Sequence, residues 1–262
     1  MLRNSKTTPS MAMKPGILSP NLFVLGAGKC GTTSLHQVLA EHPLIHMSAI
    51  KEPSFFCSYF QVVKNPIDYF ALFQTTRAVA YRGESSHVYF SNPETAAVLR
   101  GLFPDARFIL ILRDPAKRAY SLFRHMRTHN LESEPSFHRA LLLEPERRTF
   151  NYTRFPHYPW NFFYIDSSRY DVQFARYLEY FPRRQFVVVS LAELVKEPQH
   201  TLRRIFDFLE LPMGEGMALP HLNSGGTFSP IDVATSAVLS SALEGVTDRL
   251  EAFAEQKLDW SI

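Results

Sequence analysis

Residues Asn21-Leu-Phe-Val-Leu25 run straight into Gly26-Ala-Gly-Lys-Cys-Gly-Thr-Thr-Ser34. An apolar run, a glycine-rich turn and an amphipathic stretch to Glu41 predict a buried strand, a tight loop and a helix from about Thr33. The first N–H groups of a helix have no intrahelical partners, and with the macrodipole they favour an anion. Lys29 adds a charge here, and Thr32, Thr33 and Ser34 add hydroxyls. An anion-binding loop therefore accounts for more residues than a turn that uses glycine only for its backbone freedom. Gly26, Gly28 and Gly31 also have the dinucleotide-binding spacing, with Glu52 about twenty residues on. A lysine inside the turn and Pro53 after Glu52 fit that motif poorly. The nucleoside-triphosphate loop fails as well, because Lys29 is followed by Cys30 rather than Ser or Thr.

Two more apolar runs, Arg107-Phe-Ile-Leu-Ile-Leu112 and Gln185-Phe-Val-Val-Val-Ser190, read as strands. Near-continuous apolar strands separated by helical patterns predict an α/β fold with a central parallel sheet flanked by helices on both faces. Asp114 and Pro115 announce a helix as N-cap and first residue. Further helices are expected from Ser91-Asn-Pro93 to about Phe103, and over 170–181, 198–209 and 236–257. The stretch 131–166 is polar first and then aromatic and proline-rich, with Phe155-Pro-His-Tyr-Pro-Trp-Asn-Phe-Phe-Tyr164 at its end. Residues 1–21 read as a flexible leader and 22–262 as a single domain.

Composition bounds the function. Of 262 residues, 45% are apolar and 13% aromatic, enough for a sizeable core. A formal charge of +3 with ten His is only mildly basic, which suits an anionic small ligand and argues against nucleic acid. Cys30 and Cys57 imply neither a disulfide framework nor a zinc site. The sequence has no apolar run of about 18 residues and no signal-type apolar segment, so a cytoplasmic protein without a membrane partner is expected.

The run Lys29-Cys-Gly-Thr-Thr33 resembles the 5′-phosphosulfate loop of sulfotransferases that use 3′-phosphoadenosine 5′-phosphosulfate (PAPS). The second motif, Leu112-Arg-Asp-Pro-Ala-Lys-Arg-Ala-Tyr-Ser121, resembles their 3′-phosphate segment, in which an Arg is followed eight residues later by a Ser. Eight residues are about 2.2 helical turns, so a strand end and one helix face can meet on one anion. Lys51-Glu-Pro-Ser-Phe-Phe56, Gly83-Glu-Ser-Ser-His-Val-Tyr-Phe90 and Ser168-Arg-Tyr170 follow the family order, and the likeness covers roughly 21–230.

The resemblance implies a P-loop-like fold and transfer of a sulfonate from PAPS, without a metal, leaving adenosine 3′,5′-bisphosphate. It implies that Gly28, Lys29, Cys30, Gly31, Thr32, Thr33 and Ser34 cradle the 5′-phosphosulfate, with Lys29 at the bridging oxygen. Arg113 and Ser121 would hold the 3′-phosphate, Tyr170 would contact adenine, and Ser224, Gly225 and Gly226 would close over the nucleotide. Tyr170 reads equally well as a core aromatic.

Two residues compete for the acceptor proton. His87 stands where small-molecule sulfotransferases carry their catalytic His, and Glu52 where the glycan-modifying branch carries its Glu. An ordinary His, near 6.5, needs less tuning than a Glu near 4.3, which favours His87. Ser85 departs from the Lys often found in the glycan-modifying branch. The aromatic residues of 155–164 with Phe55, Phe56, Tyr59 and Phe60 read either as core or as the wall of an acceptor pocket. A small-molecule hydroxyl in secondary metabolism is the expected acceptor. A carbohydrate is the alternative, and a nicotinamide-dependent oxidoreductase a remote one.

Overall fold

A computed structural model describes residues 18–214, 216–219 and 231–262. Its centre is a five-stranded sheet of β1 (Leu22–Gly26), β2 (Ile45–Met47), β3 (Tyr81–Ser85), β4 (Arg107–Leu112) and β5 (Phe186–Ser190). The strand order is β2-β3-β1-β4-β5 and every pairing is parallel. All five residues of β1 and of β5 are buried. Successive side chains point to opposite faces, so burial of every one means that both faces are covered.

The helices of the first half are α1 (Thr32–Glu41), α2 (Pro66–Ala71), α3 (Val88–Ser91), α4 (Thr95–Leu102) and α5 (Pro115–Thr128). Those of the second half are α6 (Phe137–Leu142), α7 (Glu144–Arg147), α8 (Tyr170–Leu178), α9 (Leu191–Lys196), α10 (Pro198–Phe208), α11 (Val233–Ala242) and α12 (Val246–Ala254). Asp114 caps α5 by accepting the Lys117 N–H at 2.8 Å, as its position before Pro115 predicts. A Ser190–Glu193 capping box turns β5 directly into α9. Among the described residues no helix is long and apolar enough to cross a membrane.

Three strands agree with the sequence reading to within a residue, and two strands escape it. β2 has only three residues, and β3, Tyr-Arg-Gly-Glu-Ser, is polar, with Tyr81, Glu84 and Ser85 hydrogen-bonded to partners inside the protein. The single helix expected over 236–257 is corrected to α11 and α12. The chain breaks at Gly245, whose φ of +67° lies in the left-handed region that glycine adopts without a Cβ clash.

The strand order fixes where a ligand can sit. From β1 the chain moves to the β2–β3 side, whereas from β4 it moves the other way to β5. The carboxyl ends of β1 and β4 thus flank the switch point, the crevice in which open α/β sheets bind ligands. The glycine-rich loop follows β1, Arg113 follows β4, and Ser86-His87 follow β3.

Candidate active site

The β1 ladder shifts register between Val24 and Gly26, and the Ala27 N–H then donates to the Ile111 carbonyl at 2.8 Å. This bend starts the loop. Gly26, Lys29 and Gly31 follow with φ values of 129°, 70° and 89°. For Lys29 a left-handed conformation costs about 1–2 kcal/mol, a strain typical of segments shaped for a ligand. Gly31, the N-cap of α1, has no side chain to offer, and the first turn carries no acidic residue. The leading N–H groups of this ten-residue helix are thus left without a side-chain cap. Thr32 and Ser34 are buried and Thr33 is exposed.

Beneath the loop lies a support that the sequence reading missed. Arg118 of α5 is only 3% exposed, and its Nε donates to the Gly28 carbonyl at 3.2 Å. Its Nη1 donates to Ser167 at 2.5 Å and to Ser168 at 3.2 Å. Cys30 is also buried, with Sγ 4.0 Å from the Tyr170 hydroxyl, and burial pushes its thiol up to about 11. Tyr170 itself is fully enclosed against Phe90. Through Cys30 it underpins the loop from the core side.

Glu52 and His87 meet beside the loop. The His87 backbone N–H and ring Nδ1 both lie 2.8 Å from Glu52 Oε2. Lys51 Nζ donates to Oε1 at 2.5 Å. Burial alone would raise the Glu52 carboxyl, but His87 and then Lys51 outweigh it and hold the group at about 2. An ionised carboxylate only accepts, so His87 Nδ1 carries the proton and donates it. In neutral His87 the free lone pair is therefore on Nε2. The ring lies against Gly28, where a Cβ would stand 2.7 Å from His87 Cδ2, so only glycine admits it this closely.

The surroundings are cationic. Lys29 reaches solvent, yet partial enclosure, and then Arg113, Lys51 and Arg118, lower its pKa, against Cys30, which raises it. His125 on α5 is drawn down to about 4 by burial and then by Lys29, His129, His87 and His157. His157 is lowered by burial and by His87, against Glu52. Its ring centroid is 4.2 Å from that of Phe60, and Tyr59 packs on Trp160 at 5.3 Å. The aromatic segment 155–164 thus brings a histidine into the site. His36 of α1 pairs with the Ser85 hydroxyl at 2.8 Å.

Of the residues expected at the site, the structure brings Gly28, Lys29, Glu52 and His87 together, with Arg113 within electrostatic reach of Lys29. Ser121 stands half-buried on α5, three residues and just under one helical turn after Arg118. Ser224, Gly225 and Gly226 lie outside the described residues. Arg118, His36, His125 and His157 were not foreseen. A cleft of about 560 Å³, lined by Leu141, Leu142, Pro145, Ile165 and Val238, lies apart from all of these groups.

A family model described as a sulfotransferase domain matches residues 19–224. The chain belongs to the sulfotransferase domain family. A crystal structure of a sulfotransferase from Alicyclobacillus acidocaldarius superposes with a TM-score of 0.78 at 28% identity, covering 92% of this chain and 97% of that one. A Caenorhabditis elegans protein named bifunctional heparan sulfate N-deacetylase/N-sulfotransferase 1 is 28% identical over 202 residues, 74% of this chain and 22% of its own. Human carbohydrate sulfotransferase 15 is 25% identical over 254 residues, covering 75% and 45%. The chain thus spans less than half the length of either relative.

Proposed function

We propose that this family member transfers a sulfonate group from PAPS to an acceptor hydroxyl or amine, within a single domain over 22–262. The observation that carries the reading is the abutment of two devices. One is an uncapped helix N-terminus with Lys29, and the other is the Glu52–His87 pair packed on Gly28. The first is suited to a phosphosulfate and the second to a proton.

In this reading Lys29 and the N–H groups of residues 28–34 hold the 5′-phosphosulfate, while Arg113 and Ser121 take the 3′-phosphate. Arg118, Cys30 and Tyr170 support the loop from below. PAPS supplies an activated sulfonate whose sulfur bonds to the acceptor oxygen or nitrogen as its bond to the bridging oxygen breaks. His87 Nε2 accepts the acceptor proton, and Glu52 holds the ring and stabilises the imidazolium, the division of labour of a His–carboxylate pair. Lys29 neutralises charge growing on the bridging oxygen, where donors in a water-poor site act most strongly. Glu52 is a poorer base, with both oxygens engaged and its carboxyl near 2.

For the acceptor, the partly exposed Tyr59, Phe60 and His157 form a wall that suits a small molecule with a flat apolar face. A carbohydrate is the second reading, favoured by the names of the two relatives. Two buried free thiols are consistent with a cytoplasmic setting.

The test is sulfonate transfer from PAPS to a panel of phenols, alcohols, amines and oligosaccharides. Wild type transfers to at least one class, and Lys29→Ala loses about 10²–10³ in turnover while its affinity for adenosine 3′,5′-bisphosphate falls less. Full turnover by Lys29→Ala would reduce the loop to a structural turn.

A further inference from the structure

Behind the Glu52–His87 pair lies a carboxyl group that the reaction does not touch. Glu84, the fourth residue of β3, is fully buried, and its partners are hydroxyls. Tyr69 and Tyr89 donate to Oε1, the latter at 3.0 Å, and Ser86 donates to Oε2 at 2.6 Å. Two of these hydroxyls are themselves acceptors. The Ser54 N–H donates to Ser86 Oγ at 3.0 Å, and the Phe56 N–H donates to the Tyr89 hydroxyl at 3.2 Å.

Each relay has one sense. With a backbone N–H donating to its oxygen, the hydroxyl passes its own proton to the next acceptor, and Glu84 is that acceptor for both. The two relays end on the segment that carries Glu52. Glu52 and Ser54 are held at φ values of 61° and 53°, in the left-handed region that side chains avoid. Such residues persist where their surroundings over-determine them. The Glu52 N–H bond to the Ser85 carbonyl, at 2.9 Å, supplies one restraint, the Val63 N–H bond to the Pro53 carbonyl, also at 2.9 Å, another, and the Glu84 relays add two more at Ser54 and Phe56.

We propose that Glu84 is a positioning residue for the Glu52–His87 pair, fixing through Ser86 and Tyr89 the loop from which Glu52 orients the imidazole. The consequence for turnover rests on the reading of that pair as the proton acceptor. Glu84 is no catalytic residue, since Ser86 and the 52–56 segment stand between it and the crevice.

The variant Glu84→Gln separates this role from plain burial. Its amide keeps one oxygen for the tyrosines but turns an NH₂ toward Ser86, ending that donation. Two readouts follow. The low-field proton NMR signal of His87 Nδ1–H, bonded to Glu52, is lost or broadened. In sulfonate transfer kcat falls at least about tenfold, since misplacing a catalytic group from a distance can cost up to about a hundredfold, while KM for PAPS and the affinity for adenosine 3′,5′-bisphosphate stay within about twofold. In a Glu52→Gln background the same change costs less than about twofold, because the two act in series. Ser86→Ala, which removes one relay and leaves the carboxyl, shifts both readouts the same way and decides the matter if Glu84→Gln does not fold. An unchanged His87 signal, an equal loss in both backgrounds, or a nucleotide affinity that falls in step with kcat would overturn the proposal. The NMR signal needs no turnover, so an inactive wild type would fell the functional reading alone.

Discussion

His87 owes its chemical character to its neighbours. Glu52, held near 2, fixes the Nδ1 proton, and Gly28 leaves room for the ring at the loop. His87→Ala is expected to cost about 10²–10⁴ in turnover with nucleotide affinity retained. Glu52→Gln is expected to be milder, since an amide still accepts the Nδ1–H bond. A reversed ranking, measured against one acceptor, would transfer the proton to Glu52. The pH profile gives the same answer by another route. A carboxyl lowered to about 2 is already ionised throughout the assay range, so Glu52 cannot produce a fall in rate between pH 8 and pH 5. A wild-type rate that stays flat down to pH 4 would make Glu52 the base.

At the scale of elements, the loop after β1 is built on parts distant in sequence. α5 supplies Arg118, and Ser167 and Ser168 pass its hydrogen bonds on to the Phe163 and Tyr164 carbonyls. Next to this support, Glu144 at the start of α7 accepts the Ile165 and Asp166 N–H groups, both at 2.8 Å. Burial raises its carboxyl to about 7, outweighing those bonds. The folded state then keeps a proton that the unfolded state releases near 4.5. Stability from this group is complete below about pH 4.5 and is lost as pH rises through about 7, by about 3 kcal/mol in all. Glu144→Gln cannot titrate, so the melting temperature of wild type relative to this variant should fall between pH 5 and pH 8. A constant difference would mean that Glu144 ionises normally.

Across the whole molecule, the carboxyl ends of β1, β3 and β4 gather the loop, His87 and Arg113 at one crevice. β1, β4 and β5 were legible because strands covered on both faces must be apolar throughout. β3 was not, because Glu84 and Ser85 are buried through partners that no periodicity reports. Lys29, Glu52, His87 and Arg113 could be read from local motifs. Arg118, His125 and His157 reach the site only through packing of α5 and the 155–164 segment, a tertiary outcome with no short-range signal. Tyr170 was read evenly as adenine contact or core aromatic, and full burial against Phe90 favours the core. The central claim is that this crevice takes a 3′-phosphorylated adenine nucleotide. Calorimetric titration of wild type with adenosine 3′,5′-bisphosphate and 5′-AMP, side by side, tests it most directly. The bisphosphate should bind at least about tenfold more tightly, as one charge-assisted phosphate contact of about 1.5–3 kcal/mol requires, and Arg113→Ala should erase the difference. Equal affinity for the two nucleotides, or no binding of the bisphosphate, would contradict the account.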